Sequence, residues 1–240
     1  MNLAGWLAAG LIGCAAKEAP GDHNATDDTA APEEVPRGAL QFRFPLVETT
    51  LFEQTIGVDH DPAVYEPASL EAVICTSYDG RAFPWCYDEH DGSDYLLIGG
   101  FEAMDAGSAT IVAAAPGEVV DVEDGHYDRC HATVEGIDCD GNDGIANHVI
   151  LEHEGGWRTR YWHMLSGSVA VTVGQEVACG EILGRVGSSG YSSQPHLHFE
   201  LTDDEDTVID PYAGPWSQPE TWWVEQGDPV GLPGDACATE

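Results

Sequence analysis

Short runs of β-branched and aromatic residues, separated by glycine, proline and aspartate, recur along most of this 240-residue chain. Seven runs predict strands, at residues 70–76, 109–114, 118–122, 148–153, 158–162, 169–173 and 196–201. Apolar residues alternate with period two in the last two, as they do in half-buried strands. No long apolar stripe of helical period follows residue 13. We therefore predict an all-β, mainly antiparallel fold: a curled sheet or β-sandwich-like core with long loops.

Two glycine-containing segments have recognisable turn chemistry. VTVGQEVACGEILG, at residues 171–184, predicts a β-hairpin similar to one found in lipoyl-type modules, which indicates a shape but no chemistry. DCDGNDG, at residues 138–144, is acidic enough to suggest calcium. An EF-hand loop needs glycine at its sixth position and glutamate at its twelfth, where this chain has Asp143 and Val149. A surface loop is favoured over a calcium site.

The charge balance excludes one class of partner. The chain has 43 Asp plus Glu against 8 Lys plus Arg, a formal net charge of -35. Such a surface repels phosphate backbones, and no basic patch offsets it, so we expect no nucleic acid partner. The 42% hydrophobic content is enough for a packed core. An acidic surface this poor in lysine indicates either a saline environment or a plain composition bias.

The N-terminus has the pattern of an export signal. Residues 1–13 are uncharged, mostly apolar and too short to span a bilayer, and they precede Cys14. The text LIGCAA resembles the lipobox of bacterial lipoproteins, although no Lys or Arg precedes it. The resemblance implies lipidation of Cys14 and a membrane anchor, and Ala15 resembles the pattern that directs lipoproteins to the outer membrane. The alternative is a buried N-terminal helix.

The remaining cysteines agree with an oxidising compartment. None stands in a C-x-x-C pair, which argues against a zinc ribbon or a thioredoxin-like centre. An even number in an exported chain predicts up to three disulfides. Proximity in sequence favours Cys75–Cys86 and Cys130–Cys139, which leaves Cys179–Cys237 to hold the C-terminal tail. The alternative is a set of free buried thiols.

Histidines and one aspartate are spaced as in a metal site. His90 and Asp94 form an H-x-x-x-D pair, and His163 ends a predicted strand. His196 and His198 form an H-x-H pair, whose side chains face the same way if the segment is a strand. Zinc accepts imidazole and carboxylate ligands, and a catalytic site keeps three protein ligands plus a water. Two histidines from separate segments and one aspartate supply three such ligands, which leaves two histidines for a role other than metal binding.

Between about residue 86 and residue 211, the sequence resembles the lysostaphin/LytM-type zinc metallopeptidases, which cut peptidoglycan peptides. The matching text is HDGSD from residue 90, APGEVV from 115, NHVILEH from 147, RYWHML from 160 and VTVGQEVACGEILGRVGSSGYSSQPHLHFE from 171, followed by Asp210-Pro211. The run GSSGYSSQPHLHFE is its most specific part. This chain departs from the family in a longer stretch from 94 to 115 and in an acidic, cysteine-bearing insertion at residues 127–143.

The resemblance implies a role for each residue of the pattern. His90, Asp94 and His198 would bind one Zn²⁺ per chain, and His163 and His196 would be the catalytic histidines. Zinc lowers the pKa of bound water toward about 7 and polarises the scissile carbonyl, and a neutral imidazole can accept the proton. The implied activity is an exported endopeptidase cutting peptidoglycan peptide crosslinks, with a D-alanyl crosslink expected in a Gram-negative envelope.

Other residues have weaker signals. Tyr161 and Tyr191 are candidates for substrate contact, with packing as the alternative. His60, in an acidic loop, is expected to be solvated. The tryptophans of residues 214–240 are expected to cover one face of the sheet rather than to stack on sugar.

These inferences divide the chain into five parts: a signal peptide (1–13), the lipidated Cys14 with a disordered acidic tether (14–36), a β-rich extension (37–85), the metallopeptidase core (86–213) and a Trp-rich tail (214–240). Two other functions stay open. One is a non-catalytic envelope adaptor that binds peptidoglycan or a hydrolase partner. The other is a carbohydrate- or metal-binding β-module, for which the catalytic histidines would be dispensable.

Overall fold

Antiparallel strands make up almost all of the regular structure. The computed structural model describes residues 38–52, 55–63, 74–133, 136–228 and 231–239. The signal peptide, Cys14 and tether that we predict lie outside these ranges, as do the first four residues of the strand predicted at 70–76. Among the described residues, no helix has the length and apolar character needed to cross a membrane.

The described residues form twelve strands, one short helix and a 3-10 turn. The strands are β1 Thr55–Ile56, β2 Ser93–Leu96, β3 Thr110–Val112, β4 Gly117–Glu123, β5 His131–Thr133, β6 Gly136–Asp138, β7 His148–Glu152, β8 Arg158–Trp162, β9 Glu176–Val177, β10 Ile182–Arg185, β11 His196–Thr202 and β12 Val208–Ile209. Helix α1 spans Gly100–Asp105, and the 3-10 turn spans Thr49–Leu51. The predicted all-β class is confirmed.

The main sheet has eight strands, and β11 is one of its interior strands. Its order is β1-β2-β11-β8-β7-β4-β9, with β12 also paired to β11. Every pair of named strands is antiparallel, including a second sheet of β3 and β10 and a separate β5–β6 hairpin. All seven residues of β11 are buried, because it lies between β2 and β8 and is covered on both faces. The strand that carries the H-x-H pair is therefore held rigidly.

One face of β11 packs on the apolar core. Phe199 is paired in register with Tyr161 of β8, and both side chains are fully buried in a cluster that also contains Leu197 and Leu201. Because side chains alternate along a strand, His196, His198 and Glu200 lie on the opposite face. That face holds the candidate site.

Both ends of the described chain complete the same core. Phe42 forms a bridge with Trp223, and the Phe44 N–H donates to the Gly234 carbonyl at 2.8 Å. Trp222 and Trp223 are buried, as the packing interpretation expects, whereas Trp216 is 58% exposed. The extension and the tail thus support the sheet rather than stand apart from it.

Three disulfides hold the described loops and the tail. They join Cys75 to Cys86, Cys130 to Cys139 and Cys179 to Cys237. These are the pairs that proximity in the sequence favours.

Three predictions about local structure were wrong, the third within the described part of its range. Residues 169–173 form no strand: the Ala170 N–H donates to the Leu183 carbonyl, but no ladder follows, and Val173 is 62% exposed. The two limbs of the segment 171–184 do not pair with each other. Instead, β9 pairs with β4 and β10 pairs with β3, so the segment crosses from one sheet to the other. Residues 74–76, the described part of the strand predicted at 70–76, also form none.

Candidate metal centre

Strand pairing brings the H-x-x-x-D and H-x-H segments together. Asp94 of β2 lies directly opposite His198 of β11, and Leu96 lies opposite His196. His90 precedes β2 by a short turn and reaches the same place. Residues about 100 positions apart in sequence therefore meet on the face of the sheet that is turned away from the core.

Three of these side chains converge on one point. The distances are 3.2 Å from His90 Nε2 to His198 Nδ1, 3.2 Å from His90 Nε2 to Asp94 Oδ1 and 2.7 Å from His198 Nδ1 to Asp94 Oδ1. Tetrahedral zinc with bonds of about 2.0–2.2 Å spaces neighbouring ligand atoms about 3.3–3.6 Å apart. Two of the observed separations, at 3.2 Å, lie just below this spacing, and the third, at 2.7 Å, is shorter. The three donors are near enough to share one zinc ion, and their chemistry fits it.

The hydrogen bonds of the two rings decide which nitrogens face that point. His90 Nδ1 donates to the Gly57 carbonyl at 2.7 Å, so its Nε2 carries the lone pair. His198 has a carboxylate at each ring nitrogen, with Nε2 3.1 Å from Glu200 Oε1 and Nδ1 2.7 Å from Asp94 Oδ1. If a cation replaces the proton on Nδ1, the Nε2–H group can still donate to Glu200. Two ring nitrogens and a carboxylate oxygen thus face one another, an arrangement that a cation stabilises.

Asp94 is the anionic member of the group. Burial alone would raise the pKa of its carboxyl, but the imidazoles of His90 and His196 and the hydrogen bond from His198 outweigh burial and hold the pKa well below its usual range. Asp94 is 3% exposed. A buried carboxylate that stays ionised at neutral pH is a strong ligand for a divalent cation.

His163 and His196 lie beside this group. Their ring centroids are 4.6 Å apart, and the His163 centroid is 5.9 Å from that of His198. His163 Nδ1 donates to the Ser189 carbonyl and His196 Nδ1 to the Gln194 carbonyl, each at 2.7 Å. In the neutral rings, the lone pair is therefore on Nε2. His196 Nε2 is 3.5 Å from Asp94 Oδ1.

Both rings are biased toward the neutral form. Burial, together with the neighbouring imidazoles of His196 and His198, lowers the pKa of His163 well below its usual value. Burial also lowers the pKa of His196, although the Asp94 carboxylate opposes the shift. A neutral imidazole with a lone pair on Nε2 can accept a proton.

The backbone of His163 adopts an unusual conformation. Its φ is +62°, in the left-handed region that residues other than glycine seldom adopt. Neighbouring backbone hydrogen bonds hold this conformation. The Gly187 N–H donates to the His163 carbonyl, and the Met164 N–H donates to the Asn147 carbonyl, each at 3.0 Å. Such local strain is common at functional sites, where the surrounding structure enforces it.

The two candidate tyrosines differ in position. Tyr161 is fully buried on the core face, where its hydroxyl accepts the Ala114 N–H at 2.8 Å. This position in the core favours the packing alternative. Its neighbour Trp162 is the residue paired with His198 across β8 and β11. Tyr191 is half-buried in the loop that precedes His196 and stays a candidate.

Sequence reasoning missed several partners of the candidate metal centre. Glu200, two residues after His198 on the same face of β11, could have been found from strand periodicity. The Gly57 carbonyl and the Tyr87 hydroxyl, which donates to Asp94 Oδ2 at 3.3 Å, have no sequence signal. His60 is also not simply solvated, because its Nε2 lies 2.8 Å from the buried carboxyl of Asp210.

The acidic insertion at residues 127–143 lies next to two loops, the one that follows His163 and the one that precedes His196. It contains the β5–β6 hairpin and one disulfide. The Ala132 N–H donates to the Ser192 carbonyl at 3.2 Å, and Asp128 Oδ2 accepts the Ser166 N–H at 2.6 Å. Among the described residues, the groups able to hold a metal ion are His90/Asp94/His198 and Asp91/His198/Glu200. The DCDGNDG loop is in neither group.

Comparison with known proteins assigns the family. The model of Peptidase family M23 matches residues 90–211, just over half of the chain. The chain belongs to this family. The matched region begins at His90 and contains all five residues of the histidine and aspartate pattern.

The curated relatives are similar over a short stretch. The chain is 42% identical over 57 residues to cell division protein DipM of Caulobacter vibrioides (24% of this chain, 9% of the relative). It is 38% identical over 55 residues to peptidoglycan DD-endopeptidase ShyA of Vibrio cholerae (23% and 12%) and 42% identical over 59 residues to glycyl-glycine endopeptidase ALE-1 of Staphylococcus capitis (25% and 16%). The chain thus spans less than a fifth of the length of these relatives.

Solved structures of the family align at modest scores. The catalytic domain of lysostaphin from Staphylococcus simulans has a TM-score of 0.36 at 27% identity, covering 52% of this chain and 77% of that one. The catalytic domain of the M23 protein EnpA from Enterococcus faecalis has a TM-score of 0.39 at 26% identity, covering 60% and 93%. The family assignment rests on the match to residues 90–211.

Proposed function

We propose that this protein is an exported zinc metalloendopeptidase that hydrolyses peptide crosslinks of peptidoglycan. One observation carries the proposal: His90 Nε2 and His198 Nδ1 converge with the Asp94 carboxylate beside two further buried histidines. Membership of a peptidase family supports the same conclusion. Zinc held by these three residues would supply Lewis acidity, which polarises a peptide carbonyl and lowers the pKa of water.

The proposed work of His163 and His196 follows from their hydrogen bonds. Because each ring donates Nδ1–H to a backbone carbonyl, each can take a proton at Nε2 from an attacking water. The charged ring would then stabilise negative charge on the carbonyl oxygen or return the proton to the leaving amine. The carbonyls of Ser189 and Gln194 orient the two rings for this task, and the buried position of both rings keeps bulk water away.

The substrate class is inferred from the relatives. ShyA of Vibrio cholerae is a peptidoglycan DD-endopeptidase, and ALE-1 of Staphylococcus capitis is a glycyl-glycine endopeptidase. Both names refer to endopeptidases, but to different bonds. For this chain we propose a D-alanyl crosslink, in keeping with a lipoprotein-type N-terminus of the kind that Gram-negative cells send to the outer membrane.

The proposed location and organisation follow the sequence. We propose an envelope protein anchored through lipidated Cys14, with a signal peptide at residues 1–13, a tether at 14–36, an extension at 37–85, the peptidase core at 86–213 and a tail at 214–240. Tyr191 is proposed as a substrate contact, since it lies in the loop before His196.

The test is a muropeptide profile. The full chain, loaded with one equivalent of zinc, is incubated with purified sacculi beside two variants. His196→Ala removes a proposed catalytic ring. His126→Ala is the matched control, because His126 bridges Glu123 and Asp143 at the surface. We expect crosslinked dimers to disappear with wild type and control, and His196→Ala to be about 10²–10⁴-fold slower at unchanged zinc content.

The outcomes separate the alternatives. Unchanged profiles from folded, zinc-loaded wild type would contradict the peptidase and favour the adaptor. Full hydrolytic activity of His196→Ala would refute the catalytic role of this ring. A zinc content well below one per chain after dialysis would refute the metal site itself.

A further inference from the structure

Tyr87 contacts two of the three proposed metal ligands. Its ring stacks on the His90 imidazole, with centroids 4.1 Å and planes 28° apart. Its hydroxyl donates to Asp94 Oδ2 at 3.3 Å, and both groups are buried. Tyr87 precedes residue 90, where the match to the family model begins. The contact is therefore made by a residue outside the matched region.

The hydroxyl decides how the Asp94 carboxylate is presented. Asp94 Oδ1 is the oxygen that faces His90, His198 and His196, at 3.2, 2.7 and 3.5 Å. Oδ2 faces Tyr87 instead. A carboxylate held by its second oxygen offers a single oxygen to a metal, which keeps the protein ligands at three and leaves room for water or substrate.

The ring decides how His90 is oriented. The imidazole is held at one edge by the bond from Nδ1–H to the Gly57 carbonyl, 2.7 Å long, and on one face by Tyr87. Rotation of the ring would break the hydrogen bond and the stacking together. His90 is thus held in its ligating orientation before any metal arrives, which reduces the entropy lost on binding.

We propose that Tyr87 is a positioning residue of the metal centre, which orients His90 through its ring and Asp94 through its hydroxyl and thereby raises the affinity of the site for zinc. The proposal rests on the proposed function, because it requires that His90, Asp94 and His198 hold the metal.

A purely structural role for Tyr87 makes a different prediction. Tyr87 packs with Ile56, Phe83 and Leu96 in a small apolar cluster, so its ring also contributes to stability. Packing needs the ring but not the hydroxyl. The conservative variant Tyr87→Phe therefore separates the two roles, since it keeps the stacking and the volume while removing the bond to Asp94.

The experiment compares Tyr87→Phe with Tyr78→Phe in the full chain. Tyr78 is the matched control, because both tyrosines are 6% exposed and the Tyr78 ring stacks on Tyr212, with centroids 5.0 Å apart. Zinc dissociation constants are measured by competition with a chelator, visible absorption is recorded with Co²⁺ in place of zinc, and thermal unfolding is followed without metal. We expect about 10-fold weaker zinc binding and an altered Co²⁺ spectrum for Tyr87→Phe only, with metal-free unfolding close to wild type.

A second variant, Tyr87→Leu, removes the ring as well and should weaken zinc binding beyond Tyr87→Phe. The proposal is overturned if Tyr87→Phe binds zinc as tightly as Tyr78→Phe and gives the wild-type Co²⁺ spectrum, and in that case the proposed function stands. If wild type itself binds no zinc, the proposed function fails and this inference fails with it.

Discussion

His153 gives the sharpest prediction about stability, because its environment disfavours the charged form. Burial lowers the pKa of His153 to about 4, although a hydrogen bond to the Pro116 carbonyl and the charge of Glu152 oppose the shift. Its Nδ1 donates to that carbonyl at 2.7 Å, and its Nε2 is hydrogen-bonded to the Thr159 hydroxyl at 2.7 Å. The neutral ring thus has both nitrogens satisfied.

The direction in which stability changes with pH follows from the linkage between proton binding and folding. In the unfolded chain, the pKa of histidine is about 6.5, so between pH 6.5 and 4 the unfolded state binds more protons than the folded state. The stability that His153 contributes is therefore complete above pH 6.5 and is lost as the pH falls toward 4. From these two values, acidification from pH 7 to pH 5 should reduce the free energy of unfolding by about 2 kcal/mol through this residue alone.

The assay is urea unfolding at pH 7 and pH 5, with a chelator present so that loss of metal does not contribute. Wild type is compared with His153→Gln, which can keep both hydrogen bonds but does not titrate, and we expect the variant to lose about 2 kcal/mol less than wild type. His126→Gln is the control. Hydrogen bonds with Glu123 and Asp143 raise the pKa of His126, so its removal should not reduce the acid-induced loss. Equal losses for wild type and His153→Gln would refute the reasoning.

Two further predictions concern the site and the tail. In Gly92→Ala, the new Cβ would lie 2.5 Å from His198 Nε2, so the ring must move; we expect zinc affinity to fall at least about 10-fold. Gly144→Ala, whose Cβ would meet nothing nearer than 3.4 Å, should bind zinc like wild type in the same titration, and a normal Gly92→Ala would contradict the close approach. Replacing Cys179 and Cys237 by serine opens a link of sequence separation 58, which should cost about 4 kcal/mol in the free energy of unfolding. Denaturant midpoints equal to wild type would show that the tail is held by packing alone.

The strand pattern could be predicted because alternation is local. His196 and His198 share a face for the same reason that any residues i and i+2 of a strand do, whatever the rest of the chain does. The same rule could have identified Glu200. It also explains one error: Val169, Val171 and Val173 alternate, yet their segment forms no ladder, because alternation says which face is apolar and not whether a partner strand lies alongside.

Other features were decided only by the tertiary structure. The Gly57 carbonyl selects the lone pair of His90 from 33 residues away, and the Tyr87 hydroxyl selects the oxygen of Asp94. Tyr161 belongs to the core because of its register with Phe199. The sequence by itself determined which residue types the site has and which of them share a strand face. Sheet register and the return of distant loops decided which atoms meet, because such contacts depend on where the chain folds back.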